Sequence, residues 1–212
     1  MSDEQELEKL AKQIVVCTKC ELHRSRKKAV PGEGPTHAEI MFIGEGPGFH
    51  ENEQGRPFVG AAGKFLDQLL EQAGVTRADV WITNVVKCRP PGNRDPLPDE
   101  IETCTSNYLQ HQIEIVNPSI IVTLGRFSMG LFFKAAKITQ IHGQMRKVGD
   151  RFVIAMYHPA AALHQMSLKP AIMADFAKLP ELLKQARADL GKSKGKEPKK
   201  KEEDEPKQMN LF

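Results

Sequence analysis

Four cysteines are the first residues in this chain whose type and spacing can do chemistry. Cys17 and Cys20 form a C-x2-C pair, and Cys88 and Cys104 follow with fifteen residues between them. A C-x2-C pair places two thiolates on one metal or cluster, and the distant pair must be brought in by the fold. Four thiolates suit a [4Fe–4S] cluster or a tetrahedral structural zinc, and spacing alone does not choose between them. Buried, unliganded thiols are the plain alternative. The x2 spacing argues against it, as does Cys104 inside a helical pattern with no partner nearby in sequence. No second cluster motif, flavin fingerprint or nicotinamide fingerprint is present. A structural role is therefore expected over electron transfer.

A second set of residues is a glycine-rich run, Gly44-Glu45-Gly46-Pro47-Gly48, with Asn84 and His158. Such a run lets backbone amides approach a ligand. It is not a dinucleotide fingerprint, because Phe49 occupies the third glycine position, and it is not a phosphate-binding P-loop. Taken singly, a glycine turn, a capping Asn and a structural His are all commonplace. Their shared position in the fold gives them weight. Residues 39–44, 80–85, 119–125 and 152–157 are continuous apolar runs, as expected of strands buried on both faces of a parallel sheet. The glycine run closes the first, Asn84 the second, and His158 follows the fourth. Ligands of open parallel sheets bind beyond the carboxyl ends of the strands, so these residues are expected on one edge.

Helical patterns alternate with the apolar runs. Residues 3–16 carry Leu7, Leu10, Ala11 and Ile14 on one face, with Ser2 and Gln5 at capping-box spacing. The pattern at 64–73 stops at Gly74. Residues 99–116 open with Asp99 as an expected N-cap and Glu102 three residues on. Residues 126–137 form a further apolar helical pattern. The alternation predicts an α/β fold, a three-layer α/β/α sandwich around a central four-stranded parallel sheet.

The chain has 212 residues, 40% hydrophobic and 27% charged, with a net charge of +3. That length accommodates one well-packed domain, expected at 1–189. The mild positive charge permits a nucleic-acid partner without requiring one. No run reaches the roughly 18 apolar residues of a membrane helix, and the acidic N-terminus lacks a secretion signal. A cytoplasmic monomer is expected. Residues 191–207 contain no large apolar side chain, so 190–207 reads as a disordered charged linker.

Longer stretches carry a family resemblance. GEGPGFHENEQGRPFVGAAG (44–63), TNVVKCRPPGNRDPLPDEIETC (83–104), HPAAAL (158–163) and VCTKCELHR (16–24) resemble, in order, the motifs of family 4 uracil-DNA glycosylases. The resemblance implies the uracil-DNA glycosylase fold, excision of uracil from DNA by hydrolysis of its N-glycosidic bond, and the start of base excision repair. It also implies a [4Fe–4S] cluster on Cys17, Cys20, Cys88 and Cys104. Phe58 matches the ring that stacks on the flipped base, and Asn84 the amide that pairs with uracil O4 and N3–H. Glu45, Gly46 and Pro47 would wall the pocket. His158 would hydrogen-bond uracil O2 as the base leaves. In better-known glycosylases an aspartate positions the attacking water, but Gly46 stands at the corresponding place. Glu45 and Glu51 are the carboxylates expected near it. The loop PPGNRDPLPDE lacks the histidine with which one subfamily traps the sugar, so turnover is expected.

Ala162, Leu163 and His164 are expected to fill the gap left by a flipped base. Arg24, Arg26, Lys27, Lys28, Arg89 and Arg94 are candidate phosphate contacts. The chain ends Gln208-Met209-Asn210-Leu211-Phe212. This resembles the pentapeptide with which bacterial DNA-processing proteins bind the sliding clamp, which implies Gln208, Leu211 and Phe212 as its anchors and a bacterial, nucleoid-associated setting. A non-catalytic iron-sulfur DNA-binding module would keep the cysteines and fold but lack Phe58, Asn84 and His158. An iron-sulfur redox protein is the third reading.

Overall fold

The apolar runs pair side by side in the computed structural model, which describes residues 1–194. The first elements are α1 (Asp3–Val15), β1 (Ile40–Gly44), α2 (Phe49–Gln54), α3 (Ala61–Gln72) and β2 (Trp81–Asn84). Next come α4 (Pro98–Cys104), α5 (Gln110–Val116), β3 (Ile120–Leu124), α6 (Arg126–Gly130) and α7 (Ile138–Ile141). The described chain closes with β4 (Met145–Val148), β5 (Arg151–Met156), α8 (Pro159–His164), α9 (Lys169–Ala177) and α10 (Leu179–Lys194).

The sheet order is β2-β1-β3-β5-β4, parallel except where β4 runs against β5. The expected four parallel strands are all present, and the sheet has a fifth that the sequence reading did not anticipate. β4 reads Met-Arg-Lys-Val with its two central side chains exposed. It therefore lacks the apolar run of a doubly buried strand, and its charges suit an edge.

Period-two alternation sorts the core into two layers. Ile40 and Phe42 of β1 face the side of α3, α9 and α10, where the Phe42 and Phe176 rings stack at 5.9 Å. Met41 and Ile43 face α1 and α5 through Leu10, Ile14 and Val116. The sheet is thus covered on both faces, as expected of the three-layer sandwich.

Helix ends follow the local chemistry with some shifts. Ser2 Oγ accepts from the Gln5 amide at 3.3 Å, and the Gln5 side chain accepts from the Ser2 amide at 3.0 Å, completing the capping box. The helix expected to open at an Asp99 cap opens two residues earlier, with Leu97 in the cap position. Pro98 stands first, and Glu100 accepts from the Leu97 amide at 2.8 Å. A π turn over Thr105–Leu109 joins α4 to α5. The expected helix at 126–137 is broken: α6 ends at Gly130, and Ala135 has a left-handed φ of +59° before α7 begins. Helix α10 continues to Lys194, past the boundary expected at 189. The rest of the 190–207 linker and the 208–212 peptide lie outside the described residues. Among the described residues no helix is long and apolar enough to cross a membrane.

Candidate functional site

Sheet register gathers the site. Gly44, last in β1, pairs with Asn84, last in β2, and Leu124 of β3 pairs with Met156 of β5. All four strands therefore run out at one level, bringing the Gly44–Gly48 loop, Asn84 and His158 to one edge. The chain steps from β1 to β2 on one side and to β3 on the other. This reversal is where open parallel sheets hold ligands.

Gly44 sets the closest approach. A Cβ there would stand 2.4 Å from Asn84 Oδ1 and 2.7 Å from Phe58 Cζ, so no side chain fits. The Asn84 amide and the Phe58 ring meet across that glycine. Asn84 is buried, and its backbone carbonyl accepts from Lys87 Nζ at 2.7 Å. Phe58 is buried in an unusual backbone state for a bulky residue, with φ at +51°. Its ring lies 5.5 Å from the His158 ring at an interplanar angle of 26°. The two rings form one aromatic wall beside the Asn84 amide.

His158 caps α8, and its Nδ1 accepts from the Ala160 amide at 3.1 Å. A ring nitrogen that accepts carries no proton, so the neutral ring holds its hydrogen on Nε2. Burial drives the His158 pKa down to about 4, against the opposing pull of the Glu51 carboxylate. The imidazole is therefore neutral at physiological pH, and Nε2–H is a donor.

The two expected carboxylates differ in what they hold. Glu51 Oε1 accepts from the Val59 and Gly60 amides at 2.8 and 2.9 Å, at the opening of α3. One oxygen of Glu51 thus fixes the segment that carries Phe58. Glu45 is half-buried; burial first, then repulsion from Asp95, raises its carboxyl above the ordinary range, with Arg126 opposing. Its carbonyl accepts from Val86 at 3.1 Å, which ties the glycine loop to the residues beyond β2. Gly46 stands against the Val86 side chain, and Pro47 is buried beside it.

At the rim, Phe49 is 54% exposed and Arg89 lies over its ring at 5.3 Å. Of the three candidate wedge residues, Leu163 and His164 reach solvent, while Ala162 is packed in the core. The candidate phosphate contacts divide as well. Arg94 forks onto Glu100 at 2.7 and 2.9 Å, and Arg26 donates to the carbonyl of Cys17 at 2.7 Å. Arg24 and Lys27 make exposed ion pairs with Glu21 and Glu53.

The four cysteines line one pocket with Ile14, Leu22 and Tyr108. Three of the sulfurs receive an N–H. Lys19 donates to Cys17 at 3.5 Å, Arg26 Nη1 to Cys88 at 3.2 Å, and Lys87 to Cys104 at 3.3 Å. Such donors suit thiolates better than thiols. Burial nevertheless pushes Cys20 and Cys88 up, and Cys104 up to about 12, so protein groups alone leave these thiols protonated. A soft cationic centre would supply the missing compensation. Among the described residues no group of three or more His, Cys, Asp or Glu converges as the ligand set of a metal ion.

Two residues outside the sequence reading bind this architecture together. Lys87 is buried, and its ammonium donates to Thr83 Oγ1, the Asn84 carbonyl and Gln112 Oε1 at 2.6, 2.7 and 2.6 Å. It joins the base of the Asn84 strand end to the cysteine pocket it also lines. A lysine inside the apolar run Val85-Val86-Lys87-Cys88 was the available signal. Arg77 donates to the carbonyls of Pro57 and Phe58, and nothing local in the sequence marks it.

The description of the uracil DNA glycosylase superfamily matches residues 31–190. The chain is 49% identical over 186 residues to the type-4 uracil-DNA glycosylase of Sulfurisphaera tokodaii, covering 83% of this chain and 84% of that protein. It is 45% identical to the type-4 enzyme of Archaeoglobus fulgidus, covering 83% and 92%, and 41% identical to that of Thermotoga maritima, covering 85% and 96%. With the likeness spread over most of its length, the chain belongs to the type-4 uracil-DNA glycosylases within that superfamily.

Proposed function

We infer that this protein excises uracil from DNA, hydrolysing the N-glycosidic bond to leave an abasic site and so beginning repair. The observation that carries the reading is the meeting of Asn84, Phe58 and a neutral His158 at one edge of the sheet. Uracil in a duplex is out of reach, so the nucleotide rotates out of the stack into the pocket. Phe58 gives the base an apolar face, with Glu45, Gly46 and Pro47 as the opposite wall. The Asn84 amide accepts from N3–H and donates to O4. Cytosine would set its amino group against the amide donor, leaving buried polar groups unpaired.

Bond cleavage leaves negative charge on the departing base. His158 Nε2–H donates to uracil O2 as that charge grows, and a neutral donor fixed by the Ala160 amide needs no reorganisation to do so. Water adds to the sugar cation. Glu45 is assigned to orient that water and stabilise the cation, while Glu51 acts chiefly by holding the Phe58 segment.

The four cysteines would hold a [4Fe–4S] cluster. Four thiols lining one pocket and the kinship with type-4 enzymes support that reading. The cluster's contribution is structural, tying α1 and α4 to the end of β2. Leu163 is the candidate wedge in the DNA stack, and Arg89 and Lys28 are candidate phosphate contacts.

The first test is release of uracil from a labelled oligonucleotide with one uracil, using brown, cluster-bearing protein. Asn84→Ala and His158→Ala should each lower kcat by about 100-fold or more, the scale of a lost oxyanion donor. Wild-type protein that releases nothing from single strands, U:G or U:A would overturn the enzyme reading in favour of the non-catalytic DNA-binding module.

The terminal peptide supports a separate proposal, that Gln208, Leu211 and Phe212 dock this monomer on the bacterial sliding clamp in the cytoplasm. Deletion of 208–212 should abolish binding to purified clamp while leaving excision from a short oligonucleotide unchanged. Equal clamp affinity of both forms would overturn it.

A further inference from the structure

Phe58 occupies a conformation that must be held. Its φ of +51° lies in the left-handed region, which is strained for a bulky non-glycine residue. Gly63 makes room for it, since a Cβ there would stand 1.8 Å from the Phe58 carbonyl oxygen. Space alone does not hold a residue in place. Arg77 does, from the short turn Arg77–Asp79 between α3 and β2.

Each N–H of the Arg77 guanidinium has an acceptor. Nη1 donates to the Phe58 carbonyl at 3.0 Å and to Asp67 Oδ1 at 2.9 Å. Nη2 donates to the Pro57 carbonyl at 2.6 Å and to Glu33 Oε1 at 2.7 Å, and Nε reaches the same Glu33 oxygen at 3.2 Å. Glu33 is itself fixed to β2, because its amide and carbonyl exchange hydrogen bonds with Ile82 at 3.0 and 2.8 Å. Ile82 stands two residues before Asn84. A rigid path thus runs from the strand that carries Asn84, through Glu33 and Arg77, to the peptide groups of Pro57 and Phe58.

We propose that Arg77 is a positioning residue for uracil recognition, anchored by Glu33, which sets the Phe58 ring at its working distance from the Asn84 amide. The planar guanidinium fork suits the task because it fixes directions as well as charge. The proposal rests on the reading of Phe58 as the base-stacking wall. Arg77 touches neither base nor sugar, so its effect passes through Phe58.

That dependence defines the test, a double-mutant cycle in uracil excision measured well below the melting temperature of every variant. Arg77→Met should lower kcat/KM about tenfold in the parent, the scale of a misplaced contact. In the Phe58→Ala background it should change kcat/KM by less than about twofold, because the coupled partner is gone. Inhibition by free uracil should weaken in parallel. Arg77→Lys keeps a charge beside Glu33 and Asp67 but loses the fork, and it serves if the Met variant does not fold. It should show the same loss and the same dependence on Phe58. Equal losses in both backgrounds would mean general structural support and would overturn the proposal. A Phe58→Ala protein that excises uracil and binds free uracil as the parent does would overturn the stacking reading itself, and the proposal with it. An impaired Phe58→Ala protein beside an unaffected Arg77→Met would overturn the positioning role alone.

Discussion

The amide of Ala160 decides which nitrogen of His158 carries the proton, and burial decides how many protons the ring carries. Both push toward one state, a neutral imidazole with Nε2–H free to donate. The linkage to pH follows from the direction of the shift. An imidazole with a pKa of 6.5 in the unfolded chain and about 4 in the folded one leaves the unfolded chain with more protons between those values. The stability associated with His158 is therefore complete above pH 6.5 and is lost as pH falls toward 4. The loss is about 3 kcal/mol over the window. Excision should follow the same chemistry. The acid limb of kcat/KM that belongs to His158 should be flat from pH 8 to about 5 and fall only near 4. Measured against DNA with one uracil, an acid limb near pH 6.5 that disappears in His158→Gln would mean a solvated, ordinary imidazole and would sink this account. The two glutamates at the same edge differ from each other. Glu51 is held by two amides and Glu45 by none, although the sequence offers them as equivalent loop acids.

At the scale of elements, what the sequence made legible tracks how local the cause is. The strands β1, β2, β3 and β5 stand within a residue or two of the apolar runs, because a strand buried on both faces must be apolar throughout. Once those strands are parallel, their ends coincide, and Gly44, Asn84 and His158 follow without any knowledge of the helices. The capping box at Ser2 was equally readable, since its two hydrogen bonds close within four residues. β4 was not, because an edge strand with exposed Arg146 and Lys147 has no apolar signature. The break after α6 escaped for a related reason. The residues of 126–137 keep an apolar pattern through Phe133, yet the helix stops at Gly130, and the left-handed Ala135 further on is a state no alanine advertises. Arg77 marks the far limit of legibility. Its acceptors are Glu33, the adjacent Pro57 and Phe58, and Asp67, on three separate stretches of chain, so its role exists only after folding. Phe58 itself came from the family resemblance. Nothing in its own neighbourhood announces an aromatic residue with a positive φ.

For the whole molecule, the cysteine pocket is the joint between layers. Cys17 and Cys20 follow α1, Cys88 lies just beyond β2, and Cys104 ends α4. The pocket therefore clamps the helical layer of Leu10 and Ile14 to the sheet edge from which Asn84 projects. Lys87 and Arg26 extend the joint, the first to the Asn84 carbonyl and the second to the carbonyls of Val15 and Cys17. The other layer, built on Leu66, Leu69, Phe176 and Leu179, shares no residue with this pocket. Loss of the clamp should consequently weaken one face of the sandwich more than the other. Cys88→Ser should abolish the brown absorbance and destabilise the fold by on the order of 4 kcal/mol, the scale of a lost covalent cross-link. For a chain of this size that lowers the melting temperature by about 10 °C. Hydrogen exchange should report early opening of α1 and α4, with protection of α3 and α9 retained. A Cys88→Ser protein that melts as the parent does and exchanges evenly on both faces would show that the four thiols are buried side chains without a joint to hold. N–H donors to three of the four sulfurs argue that they are more than that.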